Sequence, residues 1–126
     1  MGRRLSEAAV STLSAFVPEQ DLRRMRVLTS APWRWLPVPL RMAAITFGRF
    51  VVFRRGKFEE TEPWGLALIA HEAYHVGQAR ELGALRFFAS YLVGQFRCGF
   101  RHNQHAMEIP AIACQQTVRR ELEGTR

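Results

Sequence analysis

The stretch Leu68–Val76 reads LIAHEAYHV and sets His71, Glu72 and His75 in the spacing HExxH. On an α-helix, residues i and i+4 share a face, so both imidazoles can reach one ion while Glu72 lies one step round, beside the ion's open position. Two neutral imidazole nitrogens at ~2.0–2.1 Å suit the borderline-soft zinc ion, and a catalytic site adds one further protein ligand and a water. Glu72 is placed to activate that water for hydrolysis. With four His and ten Glu in 126 residues, one such match arises in about one per cent of shuffled chains. The plainer alternative is a pair of histidines at the edge of the core.

A third ligand has two candidate sources. In an HxxGxxH continuation a glycine breaks the helix and returns the last residue to the metal; here Gln78 holds the glycine position and Glu81 the ligand position. Without that break Glu81 points away. Glu108, in the first turn of a later helix, has small residues beside it that permit close helix approach; its alternative role is a charge favoured at a helix start. His102 and His105 stand near that turn, as candidate donors to a developing oxyanion or as loop histidines in water.

The elements that must position these residues follow from periodicity. A Ser6-capped apolar stripe over 6–16 predicts a helix, and a short basic helix follows over 19–28. Residues 30–40, with three prolines, Trp33 and Trp35, read as a loop over the core. Two β-branched and aromatic runs, 45–47 and 50–53, joined by Gly48 and Arg49, predict a hairpin. Pro63 opens a helix to about Gly83 that carries HExxH. A second helix fits 84–98, and a third begins near His105 or Ala106, with Pro110 a candidate kink. The fold class expected is α+β, mainly helical, with a β-hairpin before the HExxH helix: one compact domain divided into a basic N-terminal part, 1–42, and a metal-binding part, 43–126.

The net charge of +7 is uneven: residues 1–57 carry 11 basic and 3 acidic groups, residues 58–126 carry 7 and 8. Such polarity suits anionic lipid, nucleic acid or an acidic partner, or simply solvated surface. No nucleic-acid recognition motif accompanies it, so no specific nucleic acid is expected. Cys98 and Cys114 lie in helix-like stretches, not in a disulfide framework, and no export signal is read, which points to the cytoplasm. No apolar run reaches the ~18 residues of a membrane span, although peripheral membrane contact through residues 1–42 is a further expectation.

Residues 43–115 resemble zincin-like metallopeptidases of the gluzincin type, and among them minigluzincins and the eCIS-core-like domain associated with contractile injection systems. The residues that carry the resemblance are His71 to His75, Val76, Gln78, Gly83, Phe87, Phe88, Tyr91, and Glu108 with Ala111. It implies one zinc ion held by His71, His75 and Glu108, and peptide hydrolysis with Glu72 as general base. It further implies a peptide or protein substrate that pairs with a sheet edge, for which Phe50, Val51, Val52 and Phe53 are expected, and Tyr91 as a candidate substrate or transition-state contact. The alternatives from other classes are a zinc-stabilised binding or regulatory module without activity, and a basic membrane-surface protein.

Overall fold

The computed structural model describes residues 2–30, 37, 43–99 and 105–124. Its elements run α1 (Glu7–Leu13), α2 (Glu19–Arg24), β1 (Arg26–Leu28), β2 (Ala44–Phe47), β3 (Phe50–Phe53), α3 (Pro63–Leu82), α4 (Ala84–Arg97) and α5 (Glu108–Gly124). The fold is α+β and mainly helical. Trp33, Trp35, His102 and most of the 30–40 loop lie outside the described residues.

Local chemistry explains most boundaries. Ser6 caps α1, its Oγ accepting from the Ala9 N–H at 3.1 Å. The stripe expected to continue to residue 16 stops at Leu13 and leads through a turn to Pro18. Gly48, at φ +63°, supplies the left-handed conformation of a two-residue hairpin turn, which pairs Phe47 with Phe50. Pro63 sits in the first turn of α3, where its missing N–H removes no helical bond. Pro110 is likewise in the first turn of α5, which runs on unbroken to Gly124, so the proline does not end the helix.

Two expectations are corrected. The helix expected over 19–28 ends at Arg24, and Arg26–Leu28 is a strand, β1, lying parallel to β3. Pairing buries Val27 and Leu28 against the sheet, a tertiary reward that outweighs a local helical pattern. Because the strand order is β1-β3-β2, Phe50–Phe53 is the central strand. Its backbone groups bond to neighbours on both sides, so it is not an edge that a peptide could join. Among the described residues, the free edge beside α3 is the outer side of β2.

The principal core joins the N-terminal part to the rest: Leu5, Val10, Leu13, Leu22, Met25 and Val27 pack with Val51, Phe53, Ala67, Ile69, Ala70 and Val76. Helix α3 is buried on most of its circumference. Its fully buried alanines Ala67, Ala70 and Ala73, and Ala111 of α5, keep neighbouring backbones close. A second cluster, Leu28, Ile45, Val52, Ala79, Phe87 and Tyr91, fills the space between the sheet, α3 and α4. The HExxH helix is thus clamped from several sides before any metal is considered.

Candidate metal centre

Helix α3 brings His71 and His75 onto one face, and the first residue of α5 brings Glu108 to meet them. The Nε2 atoms of His71 and His75 lie 2.8 and 2.6 Å from Glu108 Oε1. One ligand atom from each residue falls within 4.8 Å of the others, and all three residues are buried. Glu81 is exposed near the end of α3 and takes no part.

Each of the three has a further partner that fixes its orientation. His75 Nδ1 is 2.7 Å from Gln78 Oε1. Gln78 Nε2 in turn donates to the Met107 carbonyl at 3.2 Å, which sets the amide so that its oxygen faces the ring. His71 Nδ1 is 2.7 Å from Gln115 Oε1. Both Nδ1 atoms therefore donate, and in the neutral rings both Nε2 atoms turn lone pairs toward Glu108. Tyr91 OH donates a short bond to the other carboxylate oxygen, Oε2. Such outer partners hold ligating side chains in their tautomer and direction.

The donor set fits a metal ion. A carboxylate oxygen facing two imidazole lone pairs needs positive charge between them, either a proton or a cation. Tetrahedral zinc with ligands near 2.0 Å sets donor atoms about 3.3 Å apart, so the 2.6 and 2.8 Å contacts of the carboxylate would open by roughly 0.5–0.7 Å to admit it. Without a metal, protons carry the charge. Burial favours neutral His75, but its bond to Glu108 and the charges of Glu72 and Glu108 outweigh that and raise its pKa above the usual histidine value. Burial pushes the Glu108 carboxyl up, yet the bonds from both histidines hold it far below the usual carboxylate range. Burial and then the Glu108 charge push the Tyr91 phenol well above its ordinary value.

Glu72 is buried beside the three, and Thr46 Oγ1 on β2 donates to its Oε2 at 2.9 Å. A cavity of about 10 Å³ bordered by Ile45, Thr46, Glu72, His75, Phe87 and Tyr91 has room for about one water. The hydroxyl of Thr46 and the amide of Gln115 are contacts that the HExxH pattern alone does not reveal. Gln115 lies two helical turns after Glu108, on the same face of α5, a spacing that could have flagged it.

His105 is buried, not a loop histidine in water. Its Nδ1 accepts from the Met107 N–H at 3.1 Å, its Nε2 donates to the Tyr91 carbonyl at 2.8 Å, and its ring stacks on Tyr91 with centroids 4.5 Å apart. Both nitrogens are spent on tying α4 to the start of α5. Gly94 makes the space: a Cβ there would lie 2.5 Å from the His105 ring.

The family model of the eCIS core domain matches residues 4–83. The match takes in the N-terminal helices, all three strands and HExxH, and stops before Glu108, whose place in the centre rests on geometry. No curated protein and no solved structure matches the chain.

Proposed function

The chain belongs to the eCIS core domain family, and on that premise we propose that it is a zinc-dependent hydrolase of peptide bonds. His71, His75 and Glu108 would hold the ion, with Glu72 as general base. The observation that carries the reading is the convergence of two Nε2 atoms and one carboxylate oxygen within 4.8 Å, with a second carboxylate, Glu72, buried next to them. Bound there, zinc supplies Lewis acidity that makes water acidic enough to be a nucleophile near neutral pH.

The chain's own groups do the rest. Glu72 takes a proton from water and passes it to the departing amine nitrogen, with Thr46 Oγ1 holding its Oε2 in place. Gln78 and Gln115 keep the imidazoles in the ligating tautomer, and Tyr91 keeps one Glu108 oxygen turned inward. An extended substrate would add to the outer edge of β2, the strand that carries Thr46.

The test is cleavage of a random peptide library by zinc-loaded protein. Glu72→Gln should retain zinc and lose cleavage; His71→Ala with His75→Ala should lose both. Cleavage that persists in Glu72→Gln would overturn the assignment. A second reading, a zinc-stabilised binding module, is favoured by one observation: the cavity at Glu72 has space for about one water. It predicts that Glu72→Gln keeps zinc, fold and biological effect.

A further inference from the structure

At the C-terminal ends of the parallel strands β1 and β3 lies a hollow of about 230 Å³, lined by Arg3, Thr29, Arg54, Arg55, Gly56 and Phe58. The turn after β3, closed by the Lys57 N–H donating to the Arg54 carbonyl at 3.0 Å, carries the two consecutive arginines. Arg3 reaches the same hollow from the N-terminal side, where its backbone pairs with Val27 of β1. Segments far apart in sequence thus bring three guanidinium groups to one concave surface. A cleft lined by one sign of charge concentrates ions of the other.

The three arginines are not equivalent. Arg3 is held: its Nη2 donates to Glu60 Oε1 at 3.2 Å, and its guanidinium carbon lies 4.9 Å from the centre of the Phe58 ring. The neighbouring carboxylates are already engaged. Glu60 also accepts from the Ser6 N–H at 2.7 Å, and Glu59 accepts from the Thr61 hydroxyl at 2.9 Å and the Glu62 N–H at 2.6 Å. Arg54 and Arg55 are exposed. Among the described residues, neither side chain has an ion pair or a hydrogen bond, nor has the Thr29 hydroxyl. By contrast, Arg23, Arg80 and Arg119 pair with carboxylates, and Arg26 and Arg49 donate to main-chain carbonyls. A single unpaired arginine on a surface is ordinary; two of them and a hydroxyl lining one hollow, beside carboxylates committed elsewhere, form a receptor for an anion.

We propose that this hollow binds the phosphate dianion, free or as a small phosphate monoester. Arg54 and Arg55 supply two positive charges that a dianion balances, whereas a single carboxylate would answer only one. Planar guanidinium forks match phosphate oxygens in pairs, and Thr29 Oγ1 adds a neutral donor. Arg3, its charge met by Glu60, forms a fixed side of the hollow, and Phe58 gives an apolar wall for an organic group esterified to the phosphate. The hollow shares no lining residue with the cavity at Glu72, so the inference does not depend on the metal centre.

Titration of the isotope-labelled full chain with inorganic phosphate and with glycerol 3-phosphate tests it, followed by amide chemical shifts at constant ionic strength and about pH 7.5, where a monoester is a dianion. Shifts should saturate at Thr29 and over residues 54–58, with half-saturation at about 1 mM or below. Arg54→Gln with Arg55→Gln should weaken binding by roughly tenfold or more, and Thr29→Val by about threefold. Arg86→Gln with Arg120→Gln removes the same two charges elsewhere and should leave binding within about twofold of wild type. Unchanged thermal melts confirm that these substitutions leave the fold intact. Tighter binding of the glycerol ester would assign the hollow to an organic monoester, and equal binding to the phosphate group itself. No saturation at these residues by about 10 mM of either ligand would overturn the proposal. So would equal weakening in the Arg86 and Arg120 control, since net charge alone would then explain binding, or shifts centred on His71 and His75 instead.

Discussion

Replacing Tyr91 with Phe removes one oxygen atom and leaves the ring. The ring packs with centroids 4.5 Å from His105, 5.8 Å from His75 and 6.1 Å from Phe87, and Phe fills the same space. What disappears is the hydroxyl that donates to Glu108 Oε2, a buried bond to an ionised acceptor, for which about 1.5–3 kcal/mol is typical. Unfolding entropy near 2.1 cal/mol/K per residue gives ~0.26 kcal/mol/K for this chain, so the melting temperature should fall by about 6–11 °C. Because the hydroxyl also holds a proposed metal ligand, zinc affinity should drop about 10–100-fold. Calorimetry on the metal-free protein and zinc titration with a competing chelator read the two effects separately. A Tyr91→Phe protein that melts within ~1 °C of wild type and binds zinc within about twofold would show that Tyr91 contributes packing alone.

Other outcomes follow from the same contacts. Glu108→Gln removes the shared carboxylate and should reduce zinc per chain to a small fraction of wild type by elemental analysis; full retention would exclude Glu108 as a ligand. In the metal-free protein, His75 has a folded pKa raised above its unfolded value. Its stabilisation is therefore fully present below the unfolded pKa and lost as pH rises through the folded one. Thermal melts in chelator should accordingly fall on the alkaline side of the usual histidine value, while the gain from added zinc should grow with pH, since metal needs deprotonated rings. Gly94→Ala forces a methyl group into the His105 ring, where the Cβ contact is 2.5 Å, and overpacking of this kind costs about 1–3 kcal/mol. A melt unchanged to ~1 °C would show that α4 yields there.

What could be read in the chain divides by sequence distance. His71, Glu72, His75 and Gln78 lie within three turns of one helix, so spacing alone sets their relation. Glu108 was legible as a carboxylate at a helix start, but its meeting with the histidines depends on how α5 packs along α3. Thr46 and Glu72 are 26 residues apart, and no local pattern links them. β1 follows α2 after a single residue and has only three residues; its identity comes from a parallel partner 24 residues later. That pairing converts Phe50–Phe53 from an edge into the centre and leaves β2 as the exposed side. Burial of the N-terminal helices in the principal core likewise depends on contacts such as Asp21 with Arg80, 59 residues apart at 2.8 Å.

The proposed function stands on metal binding by His71, His75 and Glu108. Zinc content by inductively coupled plasma mass spectrometry, on protein purified without chelator, measures it most directly. Wild type should carry close to one zinc per chain, and His71→Ala with His75→Ala close to none. Wild-type protein that stays folded, lacks zinc and takes up none at micromolar concentration would show that these three residues do not form a zinc site.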